Sequence, residues 1–289
     1  DLLKAELEPM LGVLPSYTEL GMASLLPHET LEYSAKGDVL VDGRSTQGLK
    51  ARNKVLKQVG GMAIKASDLT AMTRDEARAH TSKQRVVYIY HDIIDARGDK
   101  AATEGETFAA VKDCIDGLIG VVQYCVNTFN ASKVWITADH GFLFQQEAPA
   151  ITDKSKLALK PDNAVIHKKR YVIGPDLGVV PEAHQGSTAV TAGAGGGMEF
   201  WIPRGANRFH FTGGARFVHG GAMPQEVVVP LVTVTGLRGQ KRKDARSQAV
   251  AIDVLGQQHK ITAPKHRFEF IQMEIVSVSE RRKAITVRV

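Results

Sequence analysis

An adjacent carboxylate and imidazole, Asp139 and His140, lie at the end of an apolar segment and directly before Gly141. The segment 133–138 predicts a strand, and ligands of α/β sheets bind at the carboxyl ends of strands. Carboxylate oxygen and imidazole nitrogen are ligands of divalent metal ions. In a regular strand the two side chains would face opposite ways, so they bind one ion only if the strand breaks there. A β-bulge with a solvated histidine is the alternative.

A second group of polar residues follows the apolar segment 85–90, which predicts a buried strand. The loop after this strand contains His91, Asp92, Asp95 and Asp99. Carboxylates at this density repel one another unless a cation or solvent relieves them. The loop is therefore either a metal site or a solvated turn with a local counter-ion, for which Arg97 is the candidate.

Two isolated residues, His219 and Thr18, complete the candidates. His219 precedes Gly220 and Gly221, which let the backbone approach a ligand closely. A histidine satisfied at a turn is the alternative. Thr18 begins a predicted helix over 18–26. Its hydroxyl either caps that helix or serves as a metal-activated nucleophile beside a phosphate bound at the helix amino terminus.

A strand, a long helix and a second strand are predicted to position these residues. A capping box at 103–106 opens the helix, whose apolar residues lie three and four positions apart. Such a βαβ unit predicts that its two strands are parallel neighbours, which brings the loop 91–99 beside Asp139. Further helices are expected over 47–59 and after a capping box at 73–76, and turn-rich or flexible loops at 37–45 and 192–197. A hairpin of 198–203 with 207–212 is expected, followed by a strand over 226–235 that Pro230 places at an edge or a bulge. Further β segments are expected within 248–254, 266–278 and 284–289.

The composition is that of an ordinary soluble globular protein. The 289 residues are 43% hydrophobic and 24% charged, and the net charge of +6 permits an anionic partner without requiring one. Cys114 and Cys125 fit buried thiols, and the lack of a CxxC pattern argues against a cysteine zinc site. The sequence has neither a secretory signal nor an apolar run of membrane-spanning length, so a cytoplasmic location without a membrane partner is the default expectation.

Two domains are predicted, a main domain at 1–238 and a C-terminal segment at 239–289. The segment begins with a charged linker, and the alternating β pattern beyond it predicts the start of a small, sandwich-like all-β domain. Residues 1–13 show no element of their own, so the main domain is expected to lack its first strand.

Four motifs in this order resemble those of the PglZ domain, a branch of the alkaline phosphatase superfamily that occurs in bacterial BREX phage-defence systems. The Pro-(Thr/Ser)-x-Thr motif of that family matches Pro15–Thr18, and its Tyr-x-Tyr-His-x-x-x-Asp-x-x-Gly-Asp loop matches Tyr88–Asp99. Its Thr-Ala-Asp-His-Gly motif matches Thr137–Gly141, and its His-Gly-Gly motif with a following Glu-Val strand matches His219–Val229. Each motif alone is weak, but the ordered set over residues 14–237 is specific.

The resemblance implies an α/β fold, with an alkaline-phosphatase-like mixed or parallel sheet flanked by helices. It also implies two divalent metal ions, with zinc favoured and manganese or magnesium as alternatives, and Thr18 as the nucleophile. The implied ligands of one ion are Asp139, His140 and Thr18, and those of the other are Asp95, Asp99 and His219. His91 would be a further ligand or an orienting residue, and Arg97 would bind phosphate.

The chain departs from the superfamily pattern in two places. Many members have a histidine where Asp99 stands, and a carboxylate there would shift the metal preference toward harder ions. The superfamily also supplies an aspartate from a strand before the nucleophile, and no such strand is recognisable before Thr18. A truncated chain is favoured over an incomplete site.

The implied function is that of a metal-dependent phosphohydrolase, with a phosphodiesterase or nuclease favoured over a monoesterase, acting in anti-phage defence. Its substrate would be a phosphate ester such as a nucleotide or nucleic acid, and its partners other defence-system proteins. Lys168, Lys169 and Arg170 could meet phosphates, although a solvated loop is the favoured interpretation of that cluster. The alternative function is a catalytically weak or inactive scaffold subunit. Sulfatase chemistry is disfavoured because no cysteine lies near Thr18.

Overall fold

The computed structural model describes residues 3–129, 131–157, 161–212, 214–237, 247–256 and 267–286. Two compact units are distinguished by their internal contacts, Glu6–Thr233 and a unit of Asp1–Ala5 with Val234–Val289. The first unit contains every candidate site residue. Among the described helices, none combines the length and the apolar character needed to cross a bilayer.

Helices and short strands are interspersed along the chain, so the fold class is mixed α/β, as predicted. The helices are α1 Thr18–Ser24, α2 Gly48–Gln58, α3 Ala66–Ala71, α4 Arg74–Thr81, α5 Ile93–Gly98, α6 Thr107–Thr128, α7 Thr188–Ala192 and α8 Pro224–Val227. The strands are β1 Leu3–Leu11, β2 Leu31–Tyr33, β3 Val39–Val41, β4 Arg44–Ser45, β5 Gly61–Lys65, β6 Val86–Tyr90, β7 Lys133–Ile136, β8 Leu143–Phe144, β9 Ile166–His167, β10 Val172–Gly174, β11 Ala183–Ser187, β12 Ala194–Gly195, β13 Glu199–Pro203, β14 Phe217–Val218, β15 Val228–Gly236, β16 Gln248–Ala249, β17 Ile252–Leu255, β18 Glu269–Gln272 and β19 Arg282–Lys283.

The strands that lead to the candidate site belong to two different sheets. One sheet has the order β1-β15-β7, and β5 pairs in parallel with β6 in another. The direct pairing predicted for β6 and β7 is therefore wrong, although β6, α6 and β7 follow one another as expected. Each strand has another partner, because helix periodicity reveals a crossover but not which strand the returning chain meets. The other described sheets have the orders β11-β13-β10-β9, β12-β2-β3-β4, β14-β8, β16-β19 and β17-β18.

Residues 3–11 form a strand, so the expectation that no element precedes Pro15 is wrong. β1 is an edge strand, where Pro9 can be accommodated without loss of a central ladder hydrogen bond. Its exposed, charged surface explains why no apolar alternation was recognised. The strand contains no aspartate. Pro230 was expected at an edge or a bulge, but β15 is the middle strand of this sheet, so the edge assignment is wrong.

Locally encoded elements are confirmed where their signals are strong. α1 and α2 match the predicted helices, and α4 begins with the full capping box between Thr73 and Glu76. The second predicted capping box does not form, because the Thr103 hydroxyl donates to the Arg97 carbonyl and 104–106 is a 3-10 turn. The carboxylate-rich loop 91–99 is largely helix α5.

Other loop and hairpin assignments differ from the structure. The predicted loop at 37–45 contains the paired strands β3 and β4, and the loop at 192–197 contains β12. The hairpin of 198–203 with 207–212 is wrong, because β13 lies between β10 and β11. Beyond Gly236, the described helices and strands are all strands, as expected, but the last of them ends at Lys283, so the described residues 284–286 of the β segment expected at 284–289 are not in a strand. The linker 239–246 lies outside the described residues.

The largest core cluster supports the segment that carries Thr18. Tyr17 is almost fully buried, stacks on Tyr171 with ring centroids 4.6 Å apart, and shares a 2.9 Å hydrogen bond with the Tyr33 hydroxyl. Leu20 of α1 is also completely buried. Burial of these large side chains contributes about 1.5–3 kcal/mol each and holds the first turn of α1 in place.

Candidate active site

Residues from four distant segments meet around the Thr18 hydroxyl. Thr18 Oγ1 lies 3.0 Å from His140 Nε2, and the same nitrogen lies 3.5 Å from Asp139 Oδ2 and 3.9 Å from Asp95 Oδ2. β7 ends at Ile136, so Asp139 and His140 lie beyond the strand, and their side chains can turn to one side. The strand break on which a shared ion depends is therefore present.

His219 brings the fourth segment to the same place. Its ring stacks on His140 with centroids 4.0 Å apart and an interplanar angle of 6°. Its Nε2 lies 3.9 Å from Asp99 Oδ1. These contacts bring Thr18, Asp95 and the two histidines together at one place in the fold, so they do not lie on separate faces.

Two glycines allow the segments to approach this closely. A Cβ atom on Gly21 of α1 would lie 2.3 Å from the Asp139 carbonyl oxygen, and one on Gly141 would lie 2.1 Å from the Gln225 carbonyl oxygen. Both distances are impossible for real carbon atoms, so α1 can lie on the Asp139 backbone only because residue 21 has no side chain.

The Thr18 hydroxyl does not cap α1. Tyr17 is the N-cap residue, and Thr18 is the first residue of the helix, with its hydroxyl directed to His140. The backbone carbonyl of Gly141 lies 2.9 Å from His140 Nδ1 and can only accept, so Nδ1 carries the proton. In the neutral ring, Nε2 then presents a lone pair, to which the Thr18 hydroxyl donates. A metal ion requires the same tautomer.

Burial dominates the electrostatics of the carboxylates. Burial, followed by the nearby Asp139, raises the pKa of Asp95 to about 6, although His140 acts in the opposite direction. Burial also raises the pKa of Asp99. Burial and the adjacent His140 lower the pKa of His219 to about 3, so its imidazole is neutral at neutral pH. The raised pKa values of the two carboxyl groups and the lowered pKa of His219 all favour the uncharged forms of these side chains when no compensating ion is present.

Asp139 carries a buried oxygen that no hydrogen-bond donor satisfies. Its Oδ2 has no partner among the described residues, and its side chain is only 10% exposed. An unpaired buried carboxylate oxygen is costly unless a cation neutralises it. No three His, Cys, Asp or Glu side chains of the described chain are already grouped as a complete ligand set. In donor type, however, imidazoles and crowded carboxylates fit divalent cations.

A cavity of about 250 Å³ opens beside Thr18 and contains residues that sequence reasoning missed. Lys65 ends β5, which runs parallel to β6, so the rule that singled out residues after β6 also applies to it. No comparable sequence signal marks Arg52 on α2. The lining residues are Thr18, Met22, Leu49, Arg52, Lys65, Tyr90, His91, Asp92, Asp95 and Asp139.

The remaining candidates have different surroundings. His91 lines the cavity, and its Nδ1 lies 3.4 Å from the Cys114 sulfur. Arg97 forms an exposed ion pair with Asp113 at 2.9 Å and is not among the lining residues. The solvated loop expected around Arg170 is wrong for that residue, because its side chain is fully buried.

A buried ion pair of Arg170 and Glu226 ties the His219 segment to the rest of the site. Arg170 donates from Nε and Nη2 to the two carboxylate oxygens at 2.9 and 2.5 Å. The carboxylate also accepts from the Gly221 and Met223 amides. The Glu226 carbonyl accepts from the Gly141 amide at 2.8 Å. One glutamate thus connects the segments that carry His140 and His219.

The sequence matches the family model described as "BREX system PglZ alkaline phosphatase-like domain" over residues 1–234. It is 48% identical over 236 residues to "Alkaline phosphatase-like protein BrxZ" of Escherichia coli O9:H4 (strain HS), covering 81% of this chain and 27% of that protein. It is 39% identical over 269 residues to "Alkaline phosphatase-like protein PglZ" of Bacillus cereus (strain H3081.97), covering 92% and 31%.

The chain thus spans less than a third of the length of these two relatives. Among solved structures, murine ectonucleotide pyrophosphatase/phosphodiesterase 5 aligns with a TM-score of 0.46 and 9% identity, over 81% of this chain and 80% of that one.

Proposed function

The chain belongs to the PglZ family of BREX-system alkaline-phosphatase-like domains, and we propose that it is a metal-dependent phosphoric ester hydrolase that prefers diesters to monoesters. The observation that carries this proposal is the 3.0 Å contact between Thr18 Oγ1 and His140 Nε2, made beside the carboxylates of Asp95 and Asp139. A hydroxyl, imidazoles and carboxylates at one rim are the parts that metal-assisted phosphoryl transfer uses.

The proposed cofactors are two divalent ions. Mixed imidazole and carboxylate donors favour zinc, with manganese or magnesium as alternatives. When bound, such ions lower the pKa of a hydroxyl or water and neutralise charge on phosphoryl oxygens. The proposed ligands are Asp139, His140 and Thr18 for one ion and Asp95, Asp99 and His219 for the other, with His91 as an additional ligand or an orienting residue.

In the proposed mechanism, Thr18 supplies the nucleophilic oxygen. The core packing of Tyr17 and the tight contact of α1 with the Asp139 backbone fix the backbone that carries this oxygen and so orient it toward the site. Thr18 attacks phosphorus in line with the leaving alcohol, so a bond from Thr18 Oγ1 to phosphorus forms as the bond to the leaving oxygen breaks, and the hydroxyl proton ends on the leaving alcohol. In a diester the intermediate keeps the second ester group, and water then cleaves its bond to Thr18, which releases a phosphate monoester and restores the hydroxyl. The Gly141 carbonyl keeps the proton of His140 on Nδ1, so Nε2 remains directed at Thr18.

The test is hydrolysis of bis(p-nitrophenyl) phosphate with added zinc or manganese. Thr18→Ala is expected to lower kcat on the order of 10³-fold or more. Ser24→Ala is the matched control, because the Ser24 hydroxyl lies on the same helix and donates only to the Gly21 carbonyl. Equal rates for Thr18→Ala and the unsubstituted protein would reject Thr18 as the nucleophile.

The alternative is a catalytically weak or inactive scaffold. It is favoured by the lack of a complete ligand set among the described residues. Elemental analysis of protein purified without chelator, combined with the hydrolysis assay, separates the two proposals, because an inactive protein with both metals bound would support the scaffold. The proposed domains are 1–238 and 239–289. The proposed partners are other defence-system proteins, which the C-terminal segment and its basic linker would contact.

A further inference from the structure

Two basic side chains, Arg52 and Lys65, line the 250 Å³ cavity beside Thr18. Arg52 projects from α2, and Lys65 lies at the carboxyl end of β5. These residues come from different elements and reach one cavity that also contains the proposed nucleophile. The assignment of Thr18 and the metal ligands does not use them.

Neither basic side chain forms an ion pair with a carboxylate of the described residues. Among the described residues, no carboxylate lies within 4.0 Å of Arg52 or Lys65. Arg52 is nevertheless held in place, because Nε donates to the Thr46 carbonyl at 3.1 Å and the guanidinium carbon lies 4.9 Å from the centre of the Tyr90 ring. Neither contact removes its positive charge.

The carboxylates of the same cavity lie beyond ion-pair distance of these cations. Asp92, Asp95 and Asp139 also line it, yet they form no ion pair with either basic residue in the described chain. If the carboxylates bind divalent ions, the two basic side chains are left to attract an anion. This step rests on the proposed function.

We propose that Arg52 and Lys65 form a subsite for a second phosphate of the substrate, adjacent to the phosphate that Thr18 attacks. Arginine offers a planar fork of donors, and lysine offers a compact charge that suits a phosphate oxygen. Met22 and Leu49 supply apolar walls for the group that links the two phosphates. The substrate class is therefore a nucleotide or nucleic-acid strand with neighbouring phosphates.

The size of the cavity agrees with a single nucleotide unit. Its volume of about 250 Å³ lies just below the roughly 300–1,000 Å³ of pockets for small molecules. One sugar or base with its phosphate can enter such a space, whereas a base-paired duplex cannot.

The proposal is tested by binding, which does not require turnover. Thymidine 5′-monophosphate, thymidine 5′-diphosphate and thymidine 3′,5′-bisphosphate are titrated calorimetrically into the Thr18→Ala protein, at fixed ionic strength and with one divalent cation present throughout. A ligand with a second phosphate is expected to bind about tenfold more tightly than the monophosphate, equivalent to about 1.4 kcal/mol. Preference for the bisphosphate indicates a nucleic-acid strand, and preference for the diphosphate indicates a nucleoside polyphosphate.

Variants connect this preference to the two side chains. Arg52→Met and Lys65→Met are each expected to reduce the tenfold preference to threefold or less, and Arg52→Lys to retain part of it. Lys54→Met is the control, because it removes the same charge from an exposed position of α2 outside the cavity. Thermal unfolding of each variant verifies the fold.

Three outcomes overturn the subsite: equal affinity for the three ligands, no measurable binding of any of them, or a preference that survives both substitutions. Hydrolysis of bis(p-nitrophenyl) phosphate, which has only one phosphate, tests Thr18 separately. The subsite and the proposed hydrolysis can therefore fail independently.

Discussion

Replacement of Glu226 by glutamine is expected to destabilise the unit 6–233 more than any exposed charge substitution. The Glu226 and Arg170 side chains are both 0% exposed. Glutamine keeps the size of the side chain but leaves the guanidinium buried without a counter-charge. Its amide nitrogen also faces donors, because the carboxylate accepts from Arg170 and from the Gly221 and Met223 amides.

The expected magnitude follows from these contacts. Removing one partner of a buried ion pair costs about 3–5 kcal/mol, against a total domain stability of about 5–15 kcal/mol. Arg170→Met should cost a similar amount, because it also deprives the Gly205 and Asn207 carbonyls of their donor. The double variant contains neither buried charge, and the amide oxygen of Gln can still accept from the Gly221 amide. Its cost should be about 2 kcal/mol or more below the sum of the single variants.

Urea unfolding followed by tryptophan fluorescence measures these differences, since Trp201 is buried in the same unit. Arg97→Met is the matched control, because it removes a cation from an ion pair whose members are 39% and 56% exposed. Its expected cost is at most about 1 kcal/mol. Additive effects of the Arg170 and Glu226 substitutions, or a cost of the control equal to theirs, would refute the reasoning.

Three further predictions concern the site. Asp139→Asn should stabilise the metal-free protein, because it removes an unpaired buried charge, and it should lower the affinity for zinc. Thermal unfolding with and without zinc measures both effects. A metal-free variant less stable than the unsubstituted protein would contradict the prediction. Gly21→Ala should lower stability and the rate of hydrolysis, because its Cβ would lie 2.3 Å from the Asp139 carbonyl oxygen. Gly120→Ala is the control: a Cβ there would meet no neighbouring atom within 4 Å, so this variant should raise stability by about 0.5–1 kcal/mol in urea unfolding. Similar effects of the two substitutions would contradict the close contact of α1 with the Asp139 backbone. The raised pKa of Asp95, about 6, gives a stabilising contribution that is complete below its ordinary value of 3.8 and lost as pH rises through 6. The lowered pKa of His219, about 3, gives a contribution that is complete above 6.5 and lost as pH falls toward 3. The two oppose each other, so Asp95→Asn should make the metal-free melting temperature fall more steeply from pH 6 to pH 4, and an unchanged slope would exclude this account.

The elements that sequence reasoning recovered have local causes. The α4 helix was recognisable because Thr73 and Glu76, three residues apart, satisfy each other's backbone amides. The same type of signal at 103–106 was wrong, because the Thr103 hydroxyl donates to the Arg97 carbonyl instead. A local pattern predicts a structure only when no tertiary partner competes for the same donor.

The partner of each strand could not be predicted in the same way. The periodicity of α6 indicates a crossover between β6 and β7, but the energy of pairing depends on strands far away in the sequence. β7 pairs with β15, about a hundred residues later in the chain. The exposed surface of β1 likewise concealed a strand that is recognisable only from its pairing with β15.

For this chain, residue types and local patterns alone marked Asp95, Asp139 and His140 as candidates after predicted strands, His219 before two glycines and Thr18 at the start of a predicted helix. Tertiary structure decided what these groups experience: the proton on His140 Nδ1, the unsatisfied Asp139 oxygen and the cations of Arg52 and Lys65 beside Thr18. The physical reason is that tautomer, desolvation and charge compensation depend on atoms a few ångströms away in space, which residues distant in the chain supply.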